Sequence, residues 1–199
     1  MTSDGRVTRG DQTRRALLDA SMALIAQSGS GAATQRSVAT FAGASLASTT
    51  YHFGTRAGLL EATLEHAAQL AIDEIEGLRD EILAQRVTLL DACTLYMNRQ
   101  RDGRSFTAAV VFELALAASR MPSLRGANER FLETLRALFA PFTPTGDGRA
   151  VADSFYGLLL VELARGDSGP SPDLHRTITA IFDSFGITEA ISRLAQARS

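Results

Sequence analysis

Few side chains in this 199-residue sequence could break or form bonds. The histidines at 52, 66 and 175 and the lone cysteine, Cys93, are scattered along it. No Glu-x-x-His pair supplies the carboxylate and imidazole set of a di-iron bundle. No Cys/His cluster has zinc-ligand spacing, and there is neither a phosphate-cradling glycine loop nor a nucleophile elbow. The expectation is no catalytic residue, no metal site and no cofactor. Binding chemistry is concentrated instead in one stretch. Short polar and small apolar residues, Ser45-Leu46-Ala47-Ser48-Thr49-Thr50-Tyr51-His52, stand between Arg36 and Arg56.

The elements around that stretch have to present it. A short helix pattern ends at Ala42-Gly43, a tight corner follows, and a second short helix begins at Ser45. Two short helices about a glycine corner predict a helix-turn-helix, whose second helix enters the DNA major groove. Gly43 sits where the corner calls for positive φ, which glycine adopts cheaply. Small Ala39 and Ala44 allow close helix approach, Thr49 faces inward, and Phe53 is core. Thr34, Ser45 and Thr55 are N-cap residues of three successive helices. A leading helix over about Asp11–Ser28 carries Leu17, Leu18, Met22, Leu24 and Ile25 on its apolar face, and Gly29-Ser30-Gly31 stops it.

The rest of the chain is also helical, with no sustained period-two alternation. A helix opening at Thr55 continues past Ile75. Further helices are expected over about Arg86–Arg101, Ser105–Arg120, from beyond Met121-Pro122 to Ala140, Arg149–Arg165, Ser171 to Gly186, and Thr188–Ala197. The fold class is therefore all-α, with a helix-turn-helix domain at 1–55 and a larger helical domain at 56–199.

Charge is unevenly spread. Residues 1–60 hold six arginines against three aspartates, whereas 61–199 hold fourteen arginines against nineteen acids, within a net charge of −2. A basic head on an acidic body fits nucleic-acid binding by the head. Arg6, Arg9, Arg14 and Arg15 form either an arm along DNA or a solvated basic end. With 45% hydrophobic residues the chain can bury a core. No apolar run is long enough to span a membrane, and the start lacks the apolar segment of a secretory signal. The expectation is a cytoplasmic protein without a membrane partner.

The leading helix TRRALLDASMALIAQSG, then VATFAGAS and YHFGTRAGLL, resemble in order and spacing the N-terminal domain of TetR-family transcriptional regulators. The resemblance covers about fifty residues, and the helical remainder has the size of that family's ligand-binding and dimerisation domain. It implies a homodimeric regulator, most often a repressor, that leaves double-stranded operator DNA when a small apolar or aromatic effector binds. A helical small-molecule carrier or enzyme that does not bind DNA is the alternative.

By this resemblance Leu46, Ala47 and Thr50 contact bases. Thr34, Gln35, Arg36, Ser45, Ser48, Tyr51, His52 and Arg56 contact phosphates, and His52 is alternatively a capping residue. The sequence departs from the common pattern at Leu46, Ala47, Thr49 and Thr50. The recognition helix has no arginine, asparagine or glutamine for bidentate base reading. Leu46 or Ala47 is left to touch thymine methyls and Thr50 to make a hydrogen bond.

In the body, Tyr96, Met97, Phe106, Val110, Leu114 and Phe131 line an effector cavity or are plain core. His66 is a further pocket candidate. Glu113, in an apolar run, meets a ligand, pairs with an arginine or reaches the surface. Glu162 and Arg165 form a helix-surface pair. Phe155, Tyr156, Leu159, Leu160 and Leu163 form a dimer face or bury within one subunit.

Overall fold

Short-range chemistry sets most helix ends in this protein. Its computed structural model describes residues 4–102, 107–166, 171 and 173–196. Helix α1 (Asp4–Ser28) stops at Gly29, where φ is +76°. It begins a turn or two earlier than its apolar face requires, because nothing between Asp4 and Asp11 breaks a helix already propagating. The amino-terminal arginines from Arg6 onward thus sit on a helix rather than on an arm.

Thr34 caps α2 (Gln35–Phe41) in a reciprocal box. Its Oγ1 accepts from the Ser37 N–H at 3.1 Å, and Ser37 Oγ accepts from the Thr34 N–H at 2.9 Å. The corner turns on Gly43 at φ +62°. Ser45 caps α3 (Leu46–Phe53) through the Ser48 N–H at 3.0 Å. Thr55 Oγ1 accepts the Gly58 N–H at 3.0 Å at the start of α4 (Arg56–Leu83). Replacing any such cap by alanine typically costs ~1 kcal/mol.

Helix α5 (Leu89–Arg101) begins three residues later than its apolar pattern suggests, because Thr88 caps it. Then follow α6 (Thr107–Ala118), a 3-10 turn at Pro122–Leu124, α7 (Arg125–Phe139), a second 3-10 turn at Ala140–Phe142, α8 (Arg149–Ala164), α9 (Leu174–Ser184) and α10 (Ile187–Gln196). Asp173 stands at the N-cap of α9 but makes no cap bond; its carboxylate accepts from Arg176 Nη2 at 3.0 Å instead. Ten α-helices and no strand occur among the described residues.

The chain forms two compact units, one of residues 1–70 and 109–128, the other of 71–108 and 129–199. The first unit has a core of Leu17, Leu18, Ile25, Val38, Phe53, Leu59 and Leu64, joined by Val110, Leu114 and Leu124. Compactness therefore does not divide the chain at residue 55. Residues of α4, α6 and the Pro122 turn complete the core of α1, α2 and α3.

In the second unit α5 packs on α8 and α9, α8 on α9, and α10 on α9. Phe139 lies between Phe155, at 5.5 Å between ring centroids, and Phe182, at 6.2 Å. Such pairs add ~0.5–1.5 kcal/mol each beyond the area they bury. Glu162 is inside this unit, not on its surface. It accepts from Arg165 Nη1 at 2.6 Å, and its other oxygen lies 3.2 Å from the buried Arg101 Nε. A charge buried this deeply needs such partners, since an unpaired one costs several kcal/mol.

Candidate functional site

The helix-turn-helix presents fewer free polar groups than its sequence suggests. Ser45 and Ser48 hydroxyls bond each other at 2.9 Å. Thr50 Oγ1 donates to the Leu46 carbonyl at 3.1 Å and also faces Gln35 Oε1 at 3.4 Å. Gln35 Nε2 donates to the Gly54 carbonyl at 2.9 Å, so this side chain ties α2 to the end of α3. Arg56, expected at a phosphate, donates from Nη2 to the carbonyls of Ser30 and Gly31 at 3.0 and 3.3 Å. It holds the α1–α2 corner. Arg14 lies over the Phe53 ring at 5.6 Å.

Other groups remain turned to solvent. Arg36 is exposed and makes no ion pair among the described residues. Leu46 is 44% exposed, Ala47 is exposed, and Tyr51 is 85% exposed. The half-buried His52 ring sits 5.1 Å from Tyr51 and 6.0 Å from Phe53. Phe41, at the end of α2, is 54% exposed and was not singled out by sequence. Its residue type points inward, and only the packing turns it out. Thr49 and Phe53 are buried as their spacing requires.

A second feature lies wholly in the other unit. A narrow cleft is lined by Ile75, Leu78 and Ile82 of α4, Ala92, Cys93 and Tyr96 of α5, Leu135 and Leu138 of α7, and Phe155 of α8. Its free space holds about one water. Burial pushes the Cys93 thiol far above its ordinary range. Burial, then the nearby Glu74 and Tyr156, do the same for the Tyr96 phenol. Glu74 itself is pushed up by burial, against the opposing pull of Arg99 and the hydrogen bond from Gln100 Nε2 at 3.4 Å.

No family model and no curated protein matches the sequence. Solved structures do match its fold. A member of the TetR family from Streptomyces coelicolor is 24% identical, with 85% of this chain and 97% of that one covered and a TM-score of 0.65. This chain takes the TetR-family fold. A transcriptional regulator from Rhodococcus is 22% identical over 87% and 95% of the two chains, with a TM-score of 0.70. The multidrug binding protein EbrR, solved with imidazole, is 26% identical over 84% and 93%, with a TM-score of 0.63. EbrR has also been solved with proflavin, malachite green and ethidium.

Within this TetR-family fold, Tyr96 is the one expected pocket residue among the described residues that lines the cleft. Val110 and Leu114 belong to the core of the first unit. His66 Nε2 is 3.4 Å from Asp19 Oδ1, also in the first unit. Glu113 is half-buried against the α1–α2 corner, where a side chain added at Gly29 would meet its Oε1 at 3.7 Å. Met97 is buried core, and Phe131 is buried with its ring 5.8 Å from Tyr156. Phe106 lies outside the described residues.

The expected dimer face of α8 also divides. Phe155 and Leu159 are buried within the unit, and Tyr156 and Leu163 are half-buried. Leu160 and Val161, each 49% exposed, share an outer stripe with Gly157 and Ala164. Spacing alone leaves open whether Phe155, Tyr156, Leu159, Leu160 and Leu163 face a second copy or the core. Here α8 has two apolar faces, and only tertiary packing says which is inside. In the chain as described, no helix is long and apolar enough to cross a membrane.

Proposed function

We propose that this protein is a homodimeric, cytoplasmic, DNA-binding regulator whose hold on operator DNA is released by a small, largely apolar or aromatic effector. The observation that carries the reading is the capped, glycine-cornered helix-turn-helix, with Arg36, Leu46, Ala47 and Tyr51 turned outward. Its setting in the fold of solved transcriptional regulators supports it. The sequence division into a DNA-binding part at 1–55 and an effector and dimerisation part at 56–199 is retained as a functional one.

The cleft supports the effector half of the proposal. Tyr96 and Phe155, ring centroids 6.4 Å apart, would flank a flat aromatic guest. Drug-sized ligands occupy ~300–1,000 Å³, so an effector has to push this narrow space open. Release of DNA then needs an effector that favours one conformational state over the other, a coupling typically of ~1–3 kcal/mol. The Leu160/Val161 stripe is the surface for the second copy.

The test is duplex binding followed by fluorescence anisotropy, using fragments from around the gene itself. Affinity should fall steeply with salt, as counterion release demands; because ethidium and proflavin intercalate into the duplex themselves, dye binding is read on the DNA-free protein by the anisotropy of proflavin. Phe155→Ala should alter this dye binding. Failure of every fragment to bind at low salt would sink the regulator reading. A one-subunit mass by light scattering at micromolar concentration would remove the dimer.

A further inference from the structure

The recognition helix has almost no hydrogen-bonding group to spend on bases. The Ser45 and Ser48 hydroxyls serve each other and the α3 N-cap. The Thr50 hydroxyl is directed at the Leu46 carbonyl and at Gln35, and Gln35 is itself tied to Gly54. Thr49 is buried. The base contact assigned to Thr50 by resemblance therefore competes with two intrachain acceptors.

What α3 turns outward is apolar at its start. Leu46 and Ala47 occupy the first turn, the part of a docked recognition helix that reaches base edges. Neither side chain can donate or accept a hydrogen bond. In the major groove the thymine 5-methyl is the apolar group that tells one base pair from another. Tyr51 follows Ala47 by one helical turn on the same face and is the most exposed large side chain of the head. Its hydroxyl has no intrachain partner among the described residues.

We propose that this chain selects its DNA site through thymine methyl groups packed against Leu46 and Ala47, with the Tyr51 phenol, not the Thr50 hydroxyl, making the polar contact beside them. The partner is a duplex with T·A pairs under the start of α3. The inference rests on the DNA-binding reading and deepens it.

Replacing thymine by deoxyuracil removes the methyl and leaves every hydrogen-bonding group in place, so it isolates the contact. The full chain is titrated by anisotropy, at fixed salt, against its tightest duplex enriched from a random pool and against the same duplex with deoxyuracil for thymine. The expected loss is about four-fold per contacted methyl, from ~0.8 kcal/mol per buried carbon at 1.4 kcal/mol per tenfold. Leu46→Ala, a change at an exposed position, should bring the thymine-to-uracil ratio of its contact close to one. Tyr51→Phe should weaken binding to both duplexes by the same factor, and Thr50→Val should leave both nearly unchanged. Equal affinity of the native chain for the two duplexes, with salt-sensitive binding intact, overturns methyl readout and leaves DNA binding standing. A ratio that survives Leu46→Ala overturns the assignment to Leu46. Absence of binding to any duplex at low salt overturns the DNA-binding reading and this inference with it.

Discussion

The helix-turn-helix between Thr34 and Arg56 and the cleft around Phe155 both present apolar groups, but they are assembled over different distances. In the first, the caps that shape the surface span a few residues, Thr34 to Ser37, Ser45 to Ser48 and Thr55 to Gly58, with Gln35 to Gly54 and Arg56 to Ser30 as longer ties. In the second, the walls come from α4, α5, α7 and α8, from Ile75 to Phe155. The hydroxyls of Thr34, Ser37, Ser45, Ser48, Thr50 and Thr55 are engaged within the chain, whereas Leu46, Ala47 and Tyr51 face outward. The cleft is apolar because it is a seam in a packed core. One surface is made by caps and the other by burial, so they should respond differently to substitution.

The largest effect is expected in the cleft. Phe155→Ala removes a ring that touches both Tyr96 and Phe139, and urea denaturation should show a loss of ~3–5 kcal/mol. A loss below ~1 kcal/mol would mean that the cleft walls are not core. Thr34→Ala, in the head, should cost ~1 kcal/mol, because only one cap is lost. If it cost as much as Phe155→Ala, local capping would not be what distinguishes the two regions.

Arg36, in α2, and Arg56, at the start of α4, sharpen the contrast further. Arg56→Ala should reduce stability by ~0.5–1 kcal/mol, the range of an ordinary hydrogen bond at an exposed site, since its donors hold the Ser30 and Gly31 carbonyls. Arg36→Ala should leave the urea midpoint unchanged and lower the slope of log affinity against log salt by ~0.9, one phosphate contact. The reverse pattern would exchange their roles.

The smallest expected effect is electrostatic. Burial holds the Glu74 carboxyl above its usual value of 4.5. The folded chain therefore binds that proton more tightly than the unfolded chain. This group's penalty is full at neutral pH and is relieved as pH falls through its folded value towards 4.5. As pH falls through that range, the stability difference between the native chain and Glu74→Gln should shift in favour of the native chain, measured by urea midpoints across acid pH. A shift towards the variant would overturn the buried placement of this carboxyl.

The same contrast explains what could be read in advance. The corner at Gly43, the caps at Thr34, Ser45 and Thr55, and the inward Thr49 and Phe53 all follow from residue type and spacing, and the structure has them. The cleft did not follow. Of the residues expected at a pocket, Tyr96 lines it, whereas Val110 and Leu114 lie in the core of the first unit and His66 beside Asp19. Leu, Val and Phe look alike in a sequence whether they line a seam or fill a core. Glu162 shows the same limit for a charge: its Arg165 neighbour was visible at three residues, its Arg101 partner was not.

By itself, then, the sequence determined the helical class, the order of the helices, and the caps and corner of the head. These depend on interactions within one or two turns, where spacing along the chain is also spacing in space. Tertiary structure alone decided that Arg56 braces a corner while Arg36 stays free, that Phe155 turns inward while Leu160 and Val161 turn outward, and where the cleft opens. Those outcomes depend on which distant surfaces meet, and apolar burial, being non-directional, leaves no local mark of its partner.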